Sequence, residues 1–383
     1  MKYYYKIIGS IKELYRYKPE YNNILNSIQN QNSLFYELEY LEILMPLINT
    51  ISREVFVLVF SENSKIVAIA PFEIKHRTKI FFKSKILRFI GTELGLLSSC
   101  YGGVIMLSSL ASFEREKVFS LIKHAIHDSS FPEWNEYSFE NLYHLSYFEE
   151  LKNVFAKGKL TSSTKTYSVD VTKGIDSYFK NDLSKSLRSQ LRRAKKKLEL
   201  DYKNVEFACL TDLTSDNFLE MSKLHNNRQE KKDIKEQGIA DILQRHFIFK
   251  HPLSKKVFKE LTSWAESQSI LRCFLLRVDG KLACFIYCIK HYKKLHAIVM
   301  AIDVEYSKIT PAKLLTLFAI EYEYKRSEIT HIDFLSDGNL FKKQMLKSKM
   351  ERFTCRGKNY KGLKNAIMWS YSQCLRFLMQ LKS

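Results

Sequence analysis

Residues 270–295 read ILRCFLLRVDGKLACFIYCIKHYKKL. An apolar run ends at Val278, Asp279-Gly280 supplies the dipeptide that a two-residue hairpin turn requires, and a second apolar run carries on to Lys290. Residues 54–80, EVFVLVFSENSKIVAIAPFEIKHRTKI, repeat that order: apolar strand, polar turn at Ser61–Ser64, second strand, basic turn. Ile74-Lys75-His76 echoes Ile289-Lys290-His291. The matched order in the two halves of the chain reads as two copies of one unit.

Outward from the second copy, the spacing predicts helices near 213–230 and 254–268, strands over 270–278, 281–290 and 295–302, a helix over 311–325 and a strand over 329–335. Tightly joined strands followed by a helix and a further strand imply an α/β fold, a mixed sheet with helices on its faces. Thr310 is the expected N-cap of helix 311–325, and Pro311 occupies its first helical position. The 383 residues suit two domains. We place an N-terminal domain at 1–170, a basic helical connector at 171–205 and a C-terminal domain at 206–383. In the connector Leu187, Leu191, Ala194 and Leu198 form an apolar helical stripe expected to pack between the domains, with Arg188, Arg192 and Lys195 on a neighbouring face.

Hydrophobic residues make up 45% and aromatics 13%, with only 12 Gly and 6 Pro, which excludes disordered and fibrous classes. The opening MKYYYKIIGS does not read as a signal peptide, and no apolar run is long enough to span a bilayer. Seven cysteines without CxxC pairing suggest reduced thiols rather than a disulfide framework or zinc site, so a cytoplasmic location is expected. The net charge is +20, and residues 342–383 contribute eleven basic side chains against the single acid Glu351. Such a field draws in anions: nucleotide phosphates, anionic lipid or RNA. Residues 363–381 place Ile367, Met368, Tyr371, Leu375 and Leu378 near one helical face, which either lies on an anionic membrane or docks on the second domain.

From Ala301 to Lys313 a strand runs through a polar loop into a helix N-terminus. That arrangement offers unpaired N–H groups and a positive dipole end to a phosphate, or is an ordinary connection. His124 and His127 share a helix face without an acidic ligand or an HExxH pattern, so no metal site is expected. The absence of a Walker loop, GxGxxG and GxSxG leaves phosphoryl transfer, dinucleotide redox chemistry and serine hydrolysis without their sequence handles.

The strand order, this loop, and His331-Ile332-Asp333-Phe334-Leu335 followed by Phe341-Lys342 resemble the CelD/BcsL-type acetyltransferases, a GNAT-superfamily group linked to exopolysaccharide and cellulose biosynthesis. The resemblance extends to Leu87-Arg88-Phe89-Ile90-Gly91, to Leu187-Arg188-Ser189-Gln190-Leu191-Arg192-Arg193, and to the stretch from Leu224 to Gly238 containing Arg228. This chain departs from the family in having Pro311-Ala312 where Gly usually follows, and Gly338 one residue late.

The resemblance implies two tandem GNAT-like domains and acyl-CoA-dependent N-acylation, with acetyl-CoA or another acyl-CoA as donor and no metal. It implies an amino sugar, or a nucleotide- or lipid-linked precursor, as acceptor, handled in the cytoplasm or at the inner face of the membrane. GNAT-type transfer needs a base for the ammonium proton and donors for the thioester carbonyl. Asp333 is the first candidate for the base or orienting carboxylate, Asp303 the second, and Lys342 is a candidate contact to the thioester oxygen or an anionic group. Ser307, Lys308, Ile309, Thr310, Pro311, Ala312 and Lys313 form the expected acyl-CoA loop. Arg188, Arg192, Arg228, His331 and Phe341 are the expected acceptor contacts. Two alternatives stay open: a FemA/FemX-like aminoacyltransferase using aminoacyl-tRNA on a peptidoglycan precursor, and a degenerate, non-catalytic pair that docks on a polysaccharide synthase.

Overall fold

The computed structural model describes residues 2–28, 33–79, 82–92, 102–143, 159–230, 249–336, 340–346 and 348–358. Gly238, Gly338, Cys100, Cys374 and the expected amphipathic segment 363–381 lie outside the described residues.

The first half contains strand β1 (Tyr3–Ile8), helices α1 (Lys18–Ser27) and α2 (Leu38–Ile51), and strands β2 (Ser52–Ser61), β3 (Ile66–Lys79), β4 (Phe82–Phe89) and β5 (Ile105–Met106). Helix α3 (Ser112–Ala125) and strands β6 (Glu136–Tyr143) and β7 (Lys159–Asp170) follow. Helix α4 (Lys185–Asp201) then leads to β8 (Val205–Leu210), α5 (Ser215–Glu230), α6 (Pro252–Ser267), β9 (Leu271–Val278), β10 (Lys281–His291) and β11 (Lys294–Ile302). The last elements are α7 (Pro311–Arg326), β12 (His331–Ser336), α8 (Leu340–Met345) and β13 (Ser348–Lys358). The strands and helices expected around residues 54–80 and 213–335 are thus present, but the basic stretch Lys75–Lys79, expected as a turn, continues β3 in register with β4.

Among the described residues the strands form one sheet in the order β1-β2-β3-β4-β6-β13-β7-β12-β11-β10-β9-β8, with β5 beside β3. Pairing is antiparallel except at β4/β6 and β11/β12. From either edge inward there are four antiparallel strands and then one parallel step, so the architecture repeats as the sequence does. The halves exchange strands at the centre: β7 pairs with β12 of the second half, and β13 sits between β6 and β7.

The hairpin at Asp279-Gly280 shows why that dipeptide stands there. Both residues have positive φ, 47° and 79°, as a turn matching strand twist requires. The Asp279 carboxylate also accepts from the N–H groups of Lys203 (3.0 Å) and Asn204 (2.8 Å), tying the end of α4 to the hairpin.

One face of the sheet carries a core shared by both halves, in which Tyr21, Leu25, Leu41 and Leu44 of α1 and α2 join Met221, Val257, Phe258 and Leu261 of α5 and α6. On the opposite face α3 covers the first half through Val118, Phe119 and Ile122. There the second half is covered by α7 and α4. The α4 stripe of Leu187, Leu191, Ala194 and Leu198 is buried as its spacing predicts, but within the second half's own core rather than between halves. The connector is held there because β7 already joins the second half's sheet, which brings Tyr167 and Val169 into the same cluster. No helix among the described residues is long and apolar enough to cross a membrane.

Candidate functional site

Strand β11 runs from Lys294 to Ile302, yet only its first residues pair with β12, as Lys294–His331, Leu295–Ile332 and His296–Asp333. Beyond His296 the strands share no pairing, so a fork opens with His296 and Asp333 at its apex. Leu295 and Ala297 belong to the second half's own core, and alternation therefore turns Lys294 and His296 to the shared-core face. By the same argument Ile332 and Phe334 leave His331 and Asp333 on that face.

Asp333 is 5% exposed and accepts a 2.8 Å hydrogen bond at Oδ1 from the Leu335 N–H, while its Oδ2 stands 3.9 Å from Nδ1 of His296. Leu335 has φ 56°, a left-handed conformation costly for a residue with a branched side chain, and the register against β7 slips between Asp333 and Ser336. The strand therefore bends away immediately after the carboxylate. His331 is half-buried, and its Nδ1 lies 3.0 Å from the Thr330 hydroxyl.

At the open end of the fork, Asp303 caps a 3₁₀ turn, Val304–Ile309, by accepting at 3.0 Å from the Glu305 N–H. Tyr306 and Ile309 anchor this turn in the second half's core, leaving Ser307 and Lys308 exposed. Thr310 stands at the start of α7 but does not cap it through its side chain as expected. Capping uses extended backbone, whereas Thr310 is left-handed at φ 48°, ψ 55°. Its buried Oγ1 has no hydrogen-bond partner among the described residues. Pro311 follows at the first helical position, as expected, and Ala312 is half-buried. A strained β-branched residue with an unsatisfied hydroxyl at a helix start fits the phosphate-holding reading of residues 307–313, because an anion oxygen would satisfy that hydroxyl.

Lys313 donates to Gln190 of α4 (3.1 Å) and Gln344 of α8 (2.8 Å), and burial lowers its pKa. Beside it lies a groove of about 420 Å³ lined by Ser184, Ser186, Gln190, Lys343 and Gln344, among others. Lys342 donates to the Phe334 carbonyl at 2.6 Å, and Phe341 meets the Phe334 ring edge-on at 6.0 Å, so this pair clasps α8 to the end of β12. Arg228 donates to the Met300 carbonyl at 3.0 Å, on β11 beyond the apex, and its burial lowers its pKa. Arg188 donates to the Lys180 carbonyl, and Arg192 lies over the Phe179 ring at 5.4 Å. Asp333, His331, Arg228, Lys342 and Phe341 thus border the fork; Arg188 and Arg192 lie on α4, each with a local partner.

Reading the sequence missed His296. The imidazole is fully enclosed, neither ring nitrogen has a hydrogen-bond partner among the described residues, and Phe35 meets it edge-on at 5.6 Å. Burial holds its pKa well below the ordinary 6.5, helped by the charges of His291 and Lys294. Lys294 is half-buried, and burial lowers its pKa against the pull of Asp333. Nearby, His291 meets Glu37 of the first half at 2.8 Å. The available signal was a lone imidazole in the otherwise apolar run Leu295–Ile302, where a buried polar group demands a reason.

The first half's fork is built differently. There β4 and β6 pair only through Ile86–Glu136 and Leu87–Tyr137, and the buried Glu73 and Arg88 stand opposite each other in register on β3 and β4, on the shared-core face. Among the described residues no group of three or more His, Cys, Asp or Glu is placed to hold a metal ion.

Residues 185–343, the segment that contains the fork, the 303–313 loop and α4, match the family described as Acetyltransferase (GNAT) domain. The chain is similar in structure to FemX, at 10% identity over 91% of this chain and 96% of that one, with a TM-score of 0.57. It is also similar to a tandem GNAT protein from the clavulanic acid biosynthesis pathway, solved without AcCoA: 7% identity, 92% and 98% coverage, TM-score 0.50. A third similar structure is a conserved protein of unknown function from Bacteroides thetaiotaomicron: 10% identity, 88% and 96% coverage, TM-score 0.52. None of the curated protein sequences matches the chain. At these identities the similar structures establish the fold, a mixed α/β tandem GNAT architecture.

Proposed function

We propose that this chain transfers an acyl group, acetyl in the simplest case, from acyl-CoA to the amine of an amino sugar or of its nucleotide- or lipid-linked precursor. The observation that carries the reading is the fork of β11 and β12, with the Asp333 carboxylate at its apex and the strained start of α7 at its open end. In this reading the acyl chain enters between the diverging strands. The phosphates rest at Ser307–Lys313, where the Thr310 hydroxyl lacks a partner. Asp333 orients or deprotonates the acceptor ammonium, and Asp303, committed to the 3₁₀ turn, shapes the loop.

The acceptor class and the CelD/BcsL-type assignment rest on the Asp333-Phe334 and Phe341-Lys342 pattern, and with them go surface polysaccharide synthesis and a cytoplasmic site near the membrane's inner face. The reading is tested by following CoA thiol release with acetyl-CoA and a panel of amino sugars, free and uridine-diphosphate-linked. Turnover is expected to fall about 100-fold or more in Asp333→Asn, the range usual for a lost acid–base group. Undiminished turnover in that variant would remove Asp333 from the site.

A second reading, transfer of an aminoacyl group from tRNA, is favoured by one observation. The outer face of α4 exposes Lys185, Arg192, Arg193, Lys195, Lys196 and Lys197. Binding of aminoacyl-tRNA that weakens steeply with salt, together with indifference to acetyl-CoA, would favour it.

A further inference from the structure

The acyltransferase reading leaves open which group takes the proton from the acceptor amine, and Asp333 is poorly arranged to do it alone. Its Oδ1 is engaged by the Leu335 N–H, and its Oδ2 is directed to the imidazole 3.9 Å away. His296 has the opposite character. It occupies the last paired position of β11, directly across from Asp333, fully enclosed, with neither ring nitrogen hydrogen-bonded among the described residues. A buried polar ring in that state costs stability unless something satisfies it, and in native proteins such exceptions call for a reason. The acyl-CoA reading brings the acyl carbon and the amine to the apex of the fork, and the ring's place there supplies one.

We propose that His296 is the proton acceptor of the transfer and that Asp333 is its positioning partner. This rests on the acyl-CoA reading above. The ring is enclosed in the free protein, so acceptor binding in the fork must uncover it; the acceptor ammonium then gives a proton to a ring nitrogen of His296, and the freed amine forms a C–N bond to the thioester carbonyl carbon. The C–S bond breaks with its electron pair leaving on sulfur, the imidazolium returns its proton to the thiolate as CoA thiol departs, and the second proton on the new amide nitrogen passes to water. The Asp333 carboxylate faces the imidazolium that forms between these events and stabilises it. Lys294 on β11 and His291 at the end of β10 act on the ring, and His291 in turn meets Glu37 ahead of α2. Burial, with smaller effects from His291 and Lys294, keeps the resting ring neutral, the form a base requires.

The test compares His296→Gln and His296→Leu with the wild type in the full chain. Three quantities are read: acetyl-CoA affinity by calorimetry, kcat with glucosamine or hydroxylamine as acceptor across pH 5–9, and Tm. The expected result is a loss of kcat of about 100-fold or more in both variants with acetyl-CoA affinity unchanged. Tm should rise in His296→Leu, because the leucine removes an unsatisfied polar group. In His296→Gln the residual kcat should climb with pH more steeply than in the wild type, as the fraction of acceptor already present as free amine grows. A kcat within a few fold of wild type in either variant overturns the proposal. So does a parallel fall in Tm and kcat in both, which is the mark of a structural histidine. Failure of the wild type to bind acetyl-CoA overturns the acyltransferase reading itself and is read before any variant is made.

Discussion

Glu73 is buried to 1% exposure on the shared-core face of the first half, and burial pushes its carboxyl pKa up to about 7 in spite of the Arg88 charge and the Gly91 N–H. Since the folded value lies above the ordinary 4.5, the folded state holds the proton more tightly than the unfolded chain. Its contribution to stability is therefore fully present below about pH 4.5, declines as pH rises toward 7 and is gone above it. Denaturant unfolding at pH 5.5 and 8 should show the wild type losing stability between the two, and Glu73→Gln should lose markedly less. Equal losses in both would place the titration elsewhere. At this scale the sequence was half legible. Asp333 could be picked from its strand because carboxylates at strand ends stand out, whereas His296 hid in a buried apolar run, and its importance appears only when β12 is laid beside β11. Thr310 looked like an ordinary cap, since nothing in the residue type reveals a left-handed backbone.

Helices and strands were read more easily, because their signal is periodic and local. The hairpin around Asp279-Gly280, the strands of the 270–302 meander and the helix starting at Pro311 follow from alternation and turn chemistry. The α4 stripe gave its buried face but not its neighbour, since an apolar stripe specifies that it is covered and not by what. Leu191, 1% exposed in the second half's core, should cost about 2–5 kcal/mol when changed to Ala, as measured by urea unfolding. Replacing the outward Lys196 by Gln should leave stability within about 0.5 kcal/mol. A Leu191→Ala loss below about 1 kcal/mol would mean that α4 does not pack as described.

For the whole molecule, the two halves share one sheet and one of their cores, and they exchange β7 and β13 across the centre. None of this was legible in the sequence, because strand pairing between residues such as Arg356 and Ser138 leaves no local pattern. A shared core and interleaved strands predict a single cooperative transition. Variants retaining only Trp134, in the first half, or only Trp264, in the second, should report the same thermal midpoint by fluorescence, and two separate midpoints would show halves that fold independently. The repeat also clarifies the division of labour. His296 and Asp333 stand at the second half's fork, where the first half has Glu73 and Arg88, so the proposed chemistry belongs to the second half while the first covers the apex with Phe35.

The central claim, that the fork and the start of α7 hold an acyl-CoA, is tested most directly by calorimetry of the protein with acetyl-CoA at moderate salt, alongside Lys313→Glu. Micromolar binding, weakened about tenfold or more when the carboxylate is placed beside Ser307–Thr310, is the predicted result. No binding of acetyl-CoA or of longer acyl-CoAs would contradict it.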